Sequence, residues 1–296
     1  MKDKLLYVLL YGWVRLTALL PFPLLYLFSD GLYLLAYHLV RYRRKVVRRN
    51  LAASFPEKAA KERRQLERAF YRHLADYFTE TVKLAQLPMR EVQRRACLQN
   101  PELIDRLMDE GHPCVLMLMG HYGNWEWFSS ASSFFRDAHI YQIYRPLKSK
   151  AFDRLFIRLR TRFGARLIKK NDTLRDVIRL SRSGERCVVI FLADQTPSRA
   201  NLHYWTEFLH QDTPMLTGPE RIARKLDIPV VFLDVERKTR GFYSVNFELI
   251  SATPKQMPEN AITEQYARLM EQSISRAPAY WLWSHKRWKY KREDAI

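Results

Sequence analysis

One apolar run most constrains the fold of this chain: Cys114–Met119 is apolar throughout and stands between Pro113 and Gly120. A half-exposed strand alternates apolar and polar residues, whereas a strand that is buried on both faces is apolar along its whole length. The run therefore predicts a strand inside a sheet that has helices on both faces.

Two further apolar segments end in polar residues in the same way. Residues 140–144 and 186–193 have strand patterns, and helical patterns separate them from the first run. This alternation predicts an α/β fold with a mixed, mainly parallel central sheet flanked by helices. Since open α/β sheets bind ligands at the carboxyl ends of their strands, we expect one edge to carry the polar residues that follow the strands: His121, Arg145 and Asp194.

The residues after the first strand suggest acid–base chemistry. Gly123 and Asn124 predict a turn and a helix N-cap, so that Glu126 would lie in the first turn of a helix. On one regular helix His121 and Glu126 would point about 140° apart, which excludes a zinc pair of the H-E-x-x-H type. Across a strand-to-helix turn, Glu126 can fold back and orient the His121 imidazole as a general base.

Nearby residues supply neither a covalent nucleophile in a recognisable elbow motif nor a metal site. The three cysteines, Cys97, Cys114 and Cys187, are widely scattered. They argue against a disulfide framework and against zinc, and they fit a reducing compartment. We therefore expect direct transfer of an acyl group to a hydroxyl, with no metal and no cofactor.

The first forty residues predict a membrane anchor. Segments 5–20 and 24–40 are apolar and are separated by Pro21 and Pro23. The stretch from Leu5 to Phe28 is long enough to cross a bilayer, but Arg15 near its middle is costly there. A small-residue cleavage site does not follow, so we expect an uncleaved anchor, either a tilted span or a helix pair in the interface.

Basic residues follow this anchor at once and indicate an anionic partner surface. The formal net charge of the chain is +19. Such a flank is typical of the cytoplasmic side of a membrane and attracts anionic headgroups, and nucleic acid would attract the same charge. The cluster consists of Arg41, Arg43, Arg44, Lys45, Arg48 and Arg49.

The patterns divide the chain into three parts. Residues 1–40 form the anchor, residues 41–110 a basic, amphipathic helical region, and residues 111–296 the α/β core with an aromatic and basic tail. Indole rings and cations alternate in this tail, which predicts an interfacial belt, although base stacking would use the same residues.

Several motifs in order resemble the bacterial lipid A biosynthesis acyltransferases of the lauroyl/myristoyl type, a branch of the lysophospholipid acyltransferase superfamily. The resemblance covers nearly the whole chain and includes the anchor with its basic flank. Its motifs are His121-x4-Glu126 around Gly123-Asn124-Trp125, then Tyr144-Arg145-Pro146, Ala193-Asp194-Gln195, Thr217-Gly218 and Trp281-Leu282-Trp283-Ser284-His285-Lys286-Arg287-Trp288.

The resemblance implies a role for each motif. His121 and Glu126 look like the catalytic pair, which moves an acyl chain from acyl carrier protein, or from acyl-CoA, to a lipid hydroxyl. Arg145 looks like a residue that orients the acceptor's phosphate or the donor's polar end, and Asp194 with Gln195 looks like a motif lining the substrate site. The resemblance also implies the bacterial inner membrane, with the catalytic part facing the cytoplasm.

More than one function remains open at the level of sequence. The glycerolipid branch has a proline and a glycine around the acid of this motif. Asp194-Gln195-Thr196-Pro197 departs from that pattern, which favours a lipid A precursor as the acceptor. A sister enzyme for another lyso-lipid, such as a lysophospholipid or an amino-acid lipid, would share every motif. A membrane-tethered nucleic-acid binder would explain the charge and the aromatic tail, although we expect no nucleic-acid partner. A non-catalytic anchor protein would not depend on His121.

Overall fold

A seven-stranded sheet forms the centre of the protein, as a computed structural model that describes residues 2–128, 135 and 137–294 shows. Its strand order is β1-β9-β8-β2-β5-β3-β4. Neighbouring strands are parallel except for β8 and β9, which are antiparallel. The predicted α/β class, with a mixed and mainly parallel sheet, is confirmed. The sheet strands are β1 Ala96–Leu98, β2 Cys114–Met119, β3 His139–Tyr144, β4 Arg166–Lys169, β5 Cys187–Leu192, β8 Val230–Thr239 and β9 Phe242–Ser251.

Helices precede, connect and follow these strands. Among the described residues, six α-helices precede β2, three lie between later strands and one follows β9. The helices are α1 Lys2–Leu19, α2 Phe22–Leu34, α3 Arg44–Ser54, α4 Ala60–Lys83, α5 Met89–Arg95, α6 Glu102–Asp109, α7 Lys150–Thr161, α8 Thr173–Ser183, α9 Gly218–Leu226 and α10 Ala261–Arg276.

Strand β2 lies in the middle of the sheet, as its apolar sequence predicts. All six of its residues are buried, and it pairs with β5 on one side and β8 on the other. β3 lies on the far side of β5. Because β2, β5 and β3 are parallel, their carboxyl ends share one edge of the sheet. The prediction that His121, Asp194 and Arg145 follow strands to a common edge is therefore confirmed.

Some local predictions differ from the structure. Residues 204–215 form an antiparallel hairpin of β6 Tyr204–Phe208 and β7 Gln211–Met215. The sequence predicts an extended stretch at residues 202–209, which β6 confirms, but not the second strand of the hairpin. Where the sequence predicts a helix from Trp125, residues 125–126 form a turn and residues 127–128 have 3₁₀-helical backbone. Its predicted continuation, at residues 129–134, lies outside the described residues.

Helices α1 and α2 present large apolar side chains to solvent. Leu9, Leu16 and Leu27 are each more than 60% exposed, although α2 also packs against α4. Among the described helices, none is by itself both long and apolar enough for a membrane span; one pair, 22–39 with 44–54, meets that test of length and composition and is bent by 89°.

Candidate active site

The ends of the two central strands meet at His121 and Asp194. The register of β2 and β5 aligns Met119 with Leu192. His121 and Asp194 each come two residues later, so they lie beside each other at the end of the two strands. Nδ1 of His121 lies 2.6 Å from Oδ1 of Asp194. The backbone N–H of His121 donates to Oδ2 of the same carboxylate over 2.9 Å. One carboxylate therefore binds both the ring and the backbone of His121.

A third donor to this carboxylate comes from the closing segment of the chain. The indole N–H of Trp281 donates to Oδ2 of Asp194 over 2.7 Å. The segment reaches the site because it pairs with the loop after β2, where the N–H of Leu282 donates to the carbonyl oxygen of His121 over 3.1 Å. The prediction of an interfacial belt is wrong for Trp281 and Trp283, which are 2% and 0% exposed.

The hydrogen bonds fix the tautomer of the His121 ring. Burial by itself would raise the pKa of Asp194, but the charge and hydrogen bonds of His121, with the bond from Trp281, lower that pKa from its usual 3.8 to about 2. An ionised carboxylate only accepts hydrogen bonds, so Nδ1 carries the proton and Nε2 carries the lone pair. The side-chain amide of Gln195, 3.1 Å from Nε2, donates to that lone pair. A general base requires this tautomer.

Glu126 forms a bidentate ion pair with Arg160. The guanidinium nitrogens lie 2.6 Å and 2.8 Å from its carboxylate oxygens, and the Glu126 residue is 2% exposed. The sequence predicts that Glu126 orients the His121 imidazole. In the structure Asp194 binds the imidazole instead, and Glu126 binds Arg160. The strand order explains this, since it brings Asp194 beside His121 while the turn at residues 125–128 directs Glu126 to α7.

The loop between His121 and Glu126 has little freedom to change. Gly123 has a φ of +60°, and a Cβ at this position would lie 2.9 Å from Cγ1 of Val235. Any other L-residue would be both strained and in collision there. The ring of Trp125 stands edge-on to the His121 ring, with 5.1 Å between the centroids, and stacks on Tyr77 at 4.0 Å. The loop thus packs one wall around the imidazole.

A cavity of about 520 Å³ opens at this edge of the sheet, and His121 lines it. Its apolar side chains are suited to an acyl chain, and its cationic side chains are suited to an anion. The described lining residues include four cationic side chains and no carboxylate. The leucine, isoleucine and phenylalanine residues are Ile143, Leu147, Leu174, Phe191, Leu192, Leu216 and Ile222, and the cations are Arg145, Arg160, Lys170 and Arg221.

The positions of the predicted site residues follow from this arrangement. His121, Arg145 and Gln195 line the cavity. Asp194 lies behind His121, and Glu126 reaches the cavity through Arg160. Sequence reasoning missed both Arg160 and Trp281, since neither spacing nor composition connects a residue of α7 or of the tail with His121. In the described part of the chain, no group of three or more histidine, cysteine or acidic side chains is arranged to hold a metal.

Comparison with known proteins gives a consistent result over nearly the whole chain. A family model described as "Bacterial lipid A biosynthesis acyltransferase" matches residues 2–290. The chain is 26% identical over 286 residues to the "Lipid A biosynthesis lauroyltransferase" of Escherichia coli (strain K12), covering 95% of this chain and 90% of that protein. It is 23% identical over 282 residues to the "Lipid A biosynthesis palmitoleoyltransferase" of the same strain, covering 95% and 88%.

Proposed function

The chain belongs to the bacterial lipid A biosynthesis acyltransferase family, and from this membership we propose that it transfers a fatty acyl chain from a thioester donor to a hydroxyl of a lipid A precursor. One observation carries the mechanism: the bond of 2.6 Å between His121 Nδ1 and Asp194. It supports a general base whose Nε2 is directed to a cavity lined by both apolar and cationic side chains.

In the proposed reaction the acceptor hydroxyl takes the position of the Gln195 amide at Nε2. Nε2 of His121 removes the hydroxyl proton as the oxygen attacks the thioester carbonyl carbon. The tetrahedral oxyanion then collapses, the carbon–sulfur bond breaks, and the departing thiolate takes the proton from the imidazolium. Asp194 stabilises that imidazolium through Nδ1. Arg145 and the backbone N–H groups after Gly123 are the proposed donors to the oxyanion.

We assign Glu126 a positioning role that it exerts through Arg160. Glu126 and Arg160 are both largely buried, with side-chain exposures of 3% and 19%. A bidentate pair fixes the plane of the guanidinium, and Arg160 lines the same cavity as His121. Arg160 is therefore held rigidly where an anionic or carbonyl oxygen of a substrate would lie.

The four cationic side chains of the cavity suit the phosphate groups of both proposed substrates. Helices α8 and α9 begin at the cavity, which Thr173 and Gly218 line, and helix N-termini attract anions. We propose acyl carrier protein as the donor's carrier, because an acidic protein is attracted to a chain of net charge +19. Acyl-CoA is the alternative donor. The proposed mechanism requires neither a metal nor a cofactor.

We further propose that α1 and α2 bind the anionic inner membrane of a bacterium, with the catalytic part on the cytoplasmic side. Leu9 is 63% exposed and Leu16 is 69% exposed, and the basic cluster follows the two helices in sequence. Replacing both leucines with glutamate is expected to abolish cosedimentation with phosphatidylglycerol vesicles. Leu249→Glu, at a 39% exposed position on β9, is the control. Unchanged binding of the double variant would contradict this membrane contact.

Acyl-transfer assays test the proposed activity. The purified protein is incubated with labelled acyl carrier protein thioesters or acyl-CoA, together with a lipid A precursor, a lysophospholipid or a lyso amino-acid lipid. We expect label in the lipid A precursor and none with His121→Ala. Transfer only to another lyso-lipid would favour the sister activity. Salt-dependent binding of DNA or RNA without any transfer would favour a nucleic-acid binder.

A further inference from the structure

Glu80 of α4 is a fully buried carboxylate that binds three separate parts of the protein. Its oxygens accept hydrogen bonds from the Tyr26 hydroxyl of α2 at 3.1 Å, the Tyr243 hydroxyl of β9 at 2.7 Å and the Asn124 amide at 2.9 Å. The backbone carbonyl oxygen of Glu80 accepts the indole N–H of Trp127 over 3.1 Å. Two of these four donors, Asn124 and Trp127, belong to the loop that follows His121.

A second residue of α4 holds the same loop. His73 lies two helical turns before Glu80 and therefore on the same face of α4. Burial, together with the positive charge of Arg237, lowers the pKa of His73 to about 3, so its ring is neutral. Arg237 donates to Nδ1, which leaves Nε2–H to donate to the carbonyl oxygen of Gly123 over 3.2 Å. The α4 helix thus holds the loop at both of its ends.

The held loop carries groups that surround the reacting centre. Trp125 stands edge-on to the His121 ring, and Glu126 orients Arg160 at the cavity wall. A displacement of about 1 Å at such groups can cost about 100-fold in rate. Whatever fixes the backbone of residues 123–127 therefore affects the reaction without contacting the substrate.

We propose that Glu80 is a positioning residue, which holds the loop of residues 123–127 in place. Through its hydrogen bond with Tyr26, it also makes the position of that loop depend on α2. The proposal rests on the proposed acyl transfer for its effect on rate, but the holding of the loop is measurable without any substrate.

The chemistry of the site offers a conservative variant. In Glu80→Gln, the remaining carbonyl oxygen still accepts from Asn124 and Tyr243, and the new amide N–H donates to the Tyr26 hydroxyl oxygen. In Glu80→Ala, all three donors lose their acceptor inside a buried site.

The first experiment compares the two variants in the full-length protein in detergent micelles. For Glu80→Ala we expect kcat to fall about 100-fold with KM within about threefold, and amide hydrogen exchange of residues 121–128 to rise about tenfold. Glu80→Gln is expected to restore both quantities to within about threefold of the unchanged protein. Wild-type exchange and wild-type kcat in Glu80→Ala would overturn the proposal.

The second experiment tests the dependence on α2. Tyr26→Phe and Tyr243→Phe each remove one donor from Glu80, but only Tyr26 belongs to α2. We expect Tyr26→Phe to raise exchange in residues 22–34 and in residues 121–128, and Tyr243→Phe to leave residues 22–34 unchanged. Wild-type exchange of residues 121–128 in Tyr26→Phe would overturn the connection to α2.

These readouts keep the two hypotheses apart. If no acceptor receives an acyl chain but exchange changes as expected, the proposed function fails and the holding of the loop stands. If acyl transfer occurs and Glu80→Ala alters neither kcat nor exchange, only the role of Glu80 fails.

Discussion

Replacing Asp194 with asparagine should reverse the tautomer of the catalytic imidazole. The carboxylate accepts three hydrogen bonds, one on Oδ1 from the His121 ring and two on Oδ2 from the His121 backbone and Trp281. The asparagine oxygen can keep the two Oδ2 bonds, so its NH2 group must face Nδ1. Nδ1 then accepts a hydrogen bond, and the ring proton moves to Nε2, where it blocks removal of the hydroxyl proton.

The expected loss can be stated as a rate. A carboxylate-to-amide change that leaves the geometry intact but inverts the tautomer lowers kcat by about 10⁴-fold in serine proteases, and we expect about 10³- to 10⁴-fold here. Such a loss corresponds to about 4 to 5 kcal/mol in the activation free energy. Substrate contacts are unaffected, so KM should change by less than about threefold.

The assay is steady-state acyl transfer from a labelled acyl carrier protein thioester to the lipid acceptor. Asp212→Asn is the matched control, because Asp212 is an exposed partner of Arg292, and it should retain wild-type kcat. Circular dichroism and thermal melts establish that both variants fold. A value of kcat within about tenfold of wild type for Asp194→Asn would refute the proposed tautomer control.

Three further predictions follow from the same contacts. The pKa of Asp194 is lowered from 3.8 to about 2, which stabilises the folded protein by about 2 kcal/mol above about pH 4. This stabilisation is lost as the pH falls toward about 2. In equilibrium unfolding measurements, Asp194→Asn should not show that loss of stability between about pH 4 and about pH 2. Trp281→Phe should lower kcat about tenfold, whereas Trp283→Phe, whose buried indole donates to a backbone carbonyl, should not; equal losses would contradict the role of Trp281. Glu126→Gln weakens the buried pair with Arg160 and should destabilise the protein by about 3 kcal/mol. It should also lower kcat by a larger factor than it raises KM. A change in thermal stability without a change in kcat would contradict a positioning role.

The sequence predicts the sheet edge well because continuous apolar runs can form few other structures. Cys114–Met119 and Cys187–Leu192 are too short and too uniformly apolar for surface helices, and they are indeed buried strands. The polar residues that follow parallel strands must emerge at one edge. His121, Arg145 and Asp194 were therefore predictable as neighbours of a common site.

The partner of His121 was not predictable, because it depends on strand order. Glu126 is close in sequence, whereas Asp194 is 73 residues away and approaches only because β5 pairs with β2. Spacing contains no information about that pairing. The burial of the tail was not predictable for a similar reason. Alternating indole rings and cations occur both at membrane surfaces and in buried segments. Trp281 is buried because the tail pairs with the loop after His121.

The rate of acyl transfer by His121→Ala tests the central claim most directly. The variant is purified in the same detergent as the unchanged protein, and its initial rate is measured with the same thioester donor and lipid acceptor. Loss of the base is expected to lower kcat by about 10²- to 10⁴-fold while folding and vesicle binding persist. Retention of more than about one tenth of the wild-type kcat would contradict general-base catalysis by His121.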